Sequence, residues 1–243
     1  CWWRKVNQIM ETLLLASSSP RRKDILRSLS IPFISIDPDI DESAFSDLTP
    51  EMQVIALSKA KALEGREKYE KTLTSSRMFS SNTDAPALAG TPALTGALNF
   101  LLAADTLVAY QETGSSSQIT SSTKVNVWHV IGKPESREDA QLMLERLQGR
   151  SHFVYTALCL VNLKTRETRQ ELSRSTVRFA PMSQDEIRFY LDTEEWQGVA
   201  GAYRLQGKGA WFIESIEGSP SGVMGLPIRE LYGILKKSGY TFS

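Results

Sequence analysis

An unbroken apolar run, "LLLA" at 13–16, is followed by three serines and then by apolar positions at Ile25, Leu26 and Leu29. The run reads as a buried strand. The spacing after it predicts a helix over about 20–30, with Ser19 as N-cap and Pro20 as its first residue. The extended "IPFISIDPDIDES" leads to a second helix, about 50–71, from the spacing of Val54, Ile55, Leu57, Ala60 and Leu63. "NFLLAADTLVAY" reads as a strand, resumed at "VNVWHVIGKP". The helix "REDAQLMLERLQ", the strands "HFVYTALCLVNL" and "ELSRSTVRFA", and a helix over 183–193 come next. Short extended pieces around 202–216 precede the closing helix "LPIRELYGILKKSG". The periodicity fails twice, in Ser/Thr-rich stretches with little to bury. These are expected to be flexible inserts, at 72–98 and 111–124, in a single domain spanning 1–243. Strands and helices alternate without strict βα repetition, so the fold class is α/β with a mixed sheet, or α+β.

Composition narrows the partners more than the fold. The 28 basic and 28 acidic side chains of the 243 residues cancel, which disfavours general attraction to nucleic acid or anionic lipid and makes any basic site local. No apolar stretch is long enough for a bilayer and no secretory signal is evident, so no membrane partner and a cytoplasmic location are expected. The two cysteines, Cys1 and Cys159, make no disulfide scaffold and fit a reducing compartment; Cys159 reads as a small core hydrophobe. The sequence opens on Cys1, and "CWWRK" reads as a tag, a fragment edge or a loose arm. His129 and His152 have no zinc spacing and read as sheet residues, while Trp128, Trp196 and Trp211 read as packing residues.

Arg21 and Arg22 are out of place at the positive end of a helix dipole, where each costs about 0.3–1 kcal/mol at an exposed site. Behind a Ser-rich turn (Ser17, Ser18, Ser19), a helix N-terminus with two guanidinium forks is suited to phosphate oxygens. The glycine pattern is that of neither a P-loop nor a dinucleotide fingerprint. Asp105 interrupts an apolar strand, where an unpaired carboxylate is expensive, so it is a candidate base or cation ligand. Asp39, Asp41 and Glu42 in "DIDES", with Lys59 in "ALSKAKAL" and Lys133 in "IGKPES", complete a mixed set fit for a polyphosphate and a divalent cation. The late glycine-rich segment carries Gln206, whose amide offers both a donor and an acceptor to a base edge.

Taken in order, "LASSSPRR", "SKAKA", "AADT", "IGKP", "LQGRSHFVYTAL", "AGAYRLQGKGAWFIESIEG" and "GVMGLP" resemble the Maf family of nucleoside triphosphate pyrophosphatases. The resemblance implies a long mixed sheet with flanking helices forming two lobes around a cleft, similar to the inosine triphosphate pyrophosphatases, commonly as a homodimer. It implies cleavage of a nucleoside triphosphate substrate to the monophosphate and pyrophosphate with Mg2+ or Mn2+. Carried over by position, it makes Asp105 the acid/base, with Lys59 and Lys133 neutralising phosphate charge. It places Ser17, Arg21, Arg22, Thr106 and Gln206 on the substrate, and Glu42 with Asp105 on the metal. Arg21, Thr106 and Gln206 side with the dTTP/UTP branch rather than the branch acting on 7-methyl-GTP. The alternative to an enzyme is a nucleotide-binding regulator of cell division and septum formation. One departure stands out: where many members read "DKAGAYGIQG", this chain has "GVAGAYRLQG", with Gly198 and Val199 for the Asp-Lys pair and Arg204 for a glycine.

Overall fold

The structure is a computed structural model that describes residues 10–79, 98–114 and 125–242. Its centre is β3 (Phe100–Gly114), the longest strand. Along one edge β3 pairs with β5 (Ser151–Asn162) from Phe100 to Ala109. Beyond β5 the sheet continues antiparallel through β6 (Thr168–Phe179) to β7 (Ile213–Glu217). The other edge of β3 is divided. Its first residues, Phe100 to Ala103, pair in parallel with β1 (Leu13–Ala16), which in turn pairs with β2 (Phe33–Ile36). Its last, Val108 to Gly114, pair antiparallel with β4 (Val125–Ile131). Residues 104–107 therefore face a gap between β1 and β4, and the cleft described below opens there. The mixed seven-stranded sheet with flanking helices is the expected α/β class.

Strand alternation sorts the core into layers. Leu14 and Ala16 of β1, Leu101 and Ala103 of β3, and Cys159 and Val161 of β5 face α2 (Pro50–Phe79). Leu13, Leu15, Leu102, Ala104, Leu158 and Leu160 face the other way, onto α1 (Pro20–Ser28) and α6 (Ile228–Lys237). Further along that second face, Val108, Val154 and Val177 join α3 (Arg137–Leu147) and α4 (Gln184–Asp192) in a separate cluster. Between the two clusters the strands carry a polar row in register: Thr106 opposite Thr156, and Thr156 opposite Ser173. A buried polar row cannot join either apolar core without hydrogen-bond partners, so it marks the seam between two lobes.

Helix α2 departs from the expected pattern in length and in face. Its buried stripe is Val54, Leu57, Ser58, Ala62 and Tyr69, whereas Leu63 is exposed. Gly65 lies on this stripe because α2 crosses β1 closely; a Cβ at Gly65 would stand 2.6 Å from the Cβ of Ala16. The helix also runs through 72–79, which the pattern assigned to a loose insert. Thr72, Thr74 and Ser75 satisfy their hydroxyls on the carbonyls of Lys68, Glu70 and Lys71 within the helix, and Leu73 packs against the α2 core. Leu98, at the other end of that insert, is buried and donates its N–H to the hydroxyl of Tyr69. Likewise 111–114 belong to β3, since its ladder with β4 continues to Gly114. The remainder of both inserts, 80–97 and 115–124, lies outside the described residues, as does "CWWRK". Among the described residues no helix is long and apolar enough to cross a membrane.

The lone residues read as packing groups behave so. Cys159 is fully buried, and burial pushes its thiol up to about 12. Trp128 packs edge-on against Phe153 and Tyr155, and the indole N–H of Trp196 donates to the Leu191 carbonyl. Trp211 packs at the surface rather than in the core: it is 69% exposed and stacks on Phe189.

His152 is fully buried, 2.9 Å from the hydroxyl of Tyr203 through Nε2, and burial drives its pKa from 6.5 down to about 4. The unfolded chain therefore binds a proton that the folded chain refuses between those two values. Acidification through this window is expected to cost up to about 3 kcal/mol of stability. Urea titrations at pH 7 and about pH 4.5 test this: His152→Phe should lose less stability on acidification than the wild type. Equal losses would remove His152 as the cause.

Candidate active site

The gap beside β3 opens into a cleft of about 460 Å3. The strand–serine–helix turn at 17–22 forms one wall and the segment 197–206 another; 223–225 and the loop 38–42 close it. At α1 the expected cap holds in position only. Ser19 is the N-cap and Pro20 begins the helix, yet no side chain caps the first amides. The positive end of α1 is thus directed at the cleft with no side-chain acceptor among the described residues.

Asp105 is 4% exposed and lines the cleft on the face of β3 that carries α2. Its Oδ1 accepts from the ammonium of Lys61, and among the described residues its buried Oδ2 has no hydrogen-bond partner. Burial pushes this carboxyl above the usual aspartate value; Lys61 and Arg22 pull it back, and Glu42 adds to the upward push. Lys61 also reaches Glu42, 2.7 Å away, so one ammonium holds two carboxylates from different elements. Glu42 sits in a 3-10 turn, Glu42–Phe45, entered through an N-cap at Asp41, whose carboxylate accepts from Ser43. Half-burial works to raise the Glu42 pKa, but the bond and charge of Lys61, with Lys133 and Arg22, lower it overall. The loop before it is tied to α2: Glu64 accepts from the Asp39 N–H, and Lys68 donates to the Asp37 carbonyl.

The lysine that meets Asp105 is Lys61, not Lys59. Two residues on a helix are about 200° apart, so when Lys61 faces the sheet Lys59 faces solvent. Lys59 is exposed and does not line the cleft. The signal was available: Lys61 lies four residues after Leu57 and four before Gly65, on the buried stripe, and Lys59 lies off it.

Arg21 and Arg22 part company. Arg22 is buried, donating from Nε to the Gly225 carbonyl (2.8 Å), from Nη1 to Ser17 Oγ (3.1 Å) and from Nη2 to Thr106 Oγ1 (3.0 Å). That leaves two of its five N–H groups for a ligand. Thr106 Oγ1 also lies 3.0 Å from the hydroxyl of Thr156, which donates to the Gly222 carbonyl. Arg22 thereby stitches α1 across the seam to β3 and to the segment after α5 (Pro220–Val223). Gly225 is required at its acceptor position: φ is +106°, and a Cβ would stand 3.3 Å from Thr106 Oγ1. Arg21 is only half-buried; burial, and the charges of Arg22 and Arg204, hold its guanidinium below its usual value. Ser17 is buried, while Lys133 and Gln206 are exposed on the rim. The Gly201 N–H bonds the Gly132 carbonyl, joining the two loops that bear Lys133 and Gln206.

Among the described residues five cations (Arg21, Arg22, Lys61, Lys133, Arg204) and three carboxylates (Asp39, Glu42, Asp105) line the cleft, a surplus of two positive charges. Among the described residues no group of three or more His, Cys, Asp or Glu could enclose a metal. Two carboxylates with a free buried oxygen do fit Mg2+ or Mn2+, which take only one or two carboxylates where phosphates and water supply the rest.

The sequence model of the Maf-like protein family matches residues 12–238. A dTTP/UTP pyrophosphatase of Treponema denticola is 39% identical over 231 residues, 95% of this chain and 98% of that protein. Proteins of the same name from Syntrophus aciditrophicus and Symbiobacterium thermophilum are each 35% identical, covering 97% and 95% of this chain and 94% and 96% of their own. Among solved structures, the Staphylococcus aureus Ham1 protein aligns with 94% of this chain and 100% of its own at 12% identity and a TM-score of 0.40, too low a likeness to argue from.

Proposed function

The chain belongs to the Maf-like protein family, and on that premise we propose that it hydrolyses dTTP and UTP to the monophosphate and pyrophosphate, clearing the nucleotide pool. One observation carries the chemistry: a buried carboxylate with an unpartnered oxygen, beside a cleft whose charge surplus matches the substrate's. A nucleoside triphosphate with one divalent ion carries about two net negative charges, which balances the surplus.

Attack at the α-phosphorus needs a water held in line and stripped of a proton. Asp105 is the group placed to take that proton, on Oδ2, while Lys61 fixes the orientation of the carboxyl through Oδ1. Burial above the usual aspartate pKa makes it a stronger base than an exposed aspartate. Lys133, Arg21 and the α1 N-terminus face phosphate oxygens, and the spare hydrogen of Ser17 Oγ joins them. Arg22 and Thr106 act largely by positioning, since their polar atoms are engaged with each other and with the protein. Glu42 would hold a divalent cation beside Asp105, which would reach it only in the state in which its free oxygen is not carrying the proton. Such an ion supplies phosphate-charge screening and lowers the pKa of bound water. Gln206 on the rim pairs with the donor and acceptor edge of uracil or thymine.

The test is pyrophosphate release from a panel of nucleoside triphosphates with Mg2+ or Mn2+. Release from dTTP and UTP at more than about tenfold the rate from purine substrates is expected. Release chiefly from 7-methyl-GTP would overturn the base assignment, and silence from folded protein would favour the regulatory nucleotide binder.

A further inference from the structure

Arg204 is the cation of the cleft that the chemistry above does not use. Its guanidinium donates from Nε to the Glu195 carbonyl (2.6 Å) and from Nη2 to the Gln197 carbonyl (3.1 Å), and its backbone N–H donates to the hydroxyl of Tyr190 (3.0 Å). Its main chain is pinned from the far side by Gly209, where a Cβ would stand 2.7 Å from the Arg204 carbonyl oxygen. The fork is therefore held in place before any ligand arrives, with three of its five N–H groups left over.

Both anchors are neutral carbonyls. Among the described residues neither Arg204 nor Arg21 has a carboxylate within ion-pair distance. Yet both line the same cleft, close enough for the charge of Arg204 to act on Arg21. Two unpaired guanidiniums in one cleft repel each other, and only a formal anion relieves that repulsion; a pyrimidine carbonyl is neutral and leaves it in place. Lys61 is instead paired with Asp105 and Glu42, and Arg22 is bonded to Ser17, Thr106 and the Gly225 carbonyl, so the cations beside the reactive carboxylate are already engaged and Arg204 and Arg21 are not.

We propose that Arg204 and Arg21 form a two-arginine clamp on the outer phosphates of the bound triphosphate, with Arg204 a substrate-positioning residue. The clamp rests on the proposed pyrophosphatase reading. It grips the part of the substrate that departs as pyrophosphate, where paired forks meet phosphate oxygens as charge develops on the leaving group.

Calorimetric titration with inorganic pyrophosphate and, separately, with the uncharged nucleoside thymidine tests it on wild type, Arg204→Gln and Arg204→Lys. Glutamine retains a donor for the Glu195 carbonyl but no charge, and melting curves check that the loop stays folded. Pyrophosphate affinity should fall at least about tenfold in Arg204→Gln and less in Arg204→Lys, with thymidine affinity unchanged. Should Arg204→Gln not fold, a weaker pyrophosphate affinity in Arg204→Lys supports the clamp in its place. Unchanged pyrophosphate affinity, or a loss confined to thymidine, would overturn the clamp. If the wild type turns over no triphosphate but the variants lose pyrophosphate affinity, the clamp stands and the enzymatic reading fails.

Discussion

Asp105→Asn is expected to lower turnover by about 10³-fold while the protein folds normally and keeps its triphosphate affinity. The loss follows from proton chemistry: the amide that replaces the carboxylate cannot accept a proton from water, and a positioned general base is worth about 10²–10⁴-fold. Folding should survive because the amide oxygen can still accept from Lys61, and Lys61 keeps Glu42 as its charged partner. Binding should survive because a neutral residue at 105 enlarges the positive surplus of the cleft rather than reducing it. Single-turnover rates and triphosphate affinity without added metal measure the two halves separately. A variant that kept most of its activity, or lost binding instead, would remove Asp105 from the base role.

Lys61→Met is expected to lose at least about 100-fold in turnover, whereas Lys59→Ala stays within about twofold of wild type. Lys61 is 12% exposed in its side chain and is the shared counter-ion of Asp105 and Glu42. Without it two carboxylates are left facing one another, one of them buried. A buried carboxylate in that setting takes up a proton instead of ionising, and so ceases to be a base. Lys59 points to solvent, where removing a charge costs little. Turnover of the two variants side by side, with circular dichroism to confirm folding, decides between the lysines. Equal losses, or a loss in Lys59→Ala alone, would reverse the assignment.

The apolar runs and the 3.6-residue spacing determined the strands and helices, because burial on one face leaves a period in the sequence. Asp105 was legible for a related reason: a carboxylate inside an apolar strand carries a cost that something must offset. Ser19 and Pro20 marked the start of α1, and the ordered motifs from "LASSSPRR" to "GVMGLP" pointed to the family whose sequence model matches 12–238. The two weakly patterned stretches differ from expectation at their borders. Hydroxyls satisfied inside α2 and a ladder continuing to Gly114 depend on partners that local composition does not reveal.

The tertiary structure alone decided which charges meet. The spacing of Lys61 from Leu57 and Gly65 hinted at its face, but the roughly 200° that separates it from Lys59 was decided by β1 lying against Gly65, which fixes the face of α2. Arg21 and Arg22 look equivalent in the chain, yet only Arg22 crosses the seam to Thr106 and Gly225, over sequence separations of 84 and 203 residues. The cleft itself exists because β3 is shared between a parallel neighbour and an antiparallel one that diverge along the same edge. Strand pairing of that kind is long-range, and no local pattern of hydrophobic and polar positions specifies it. Hydrophobic period is written residue by residue; electrostatic partnership is set by the packing that brings distant residues together.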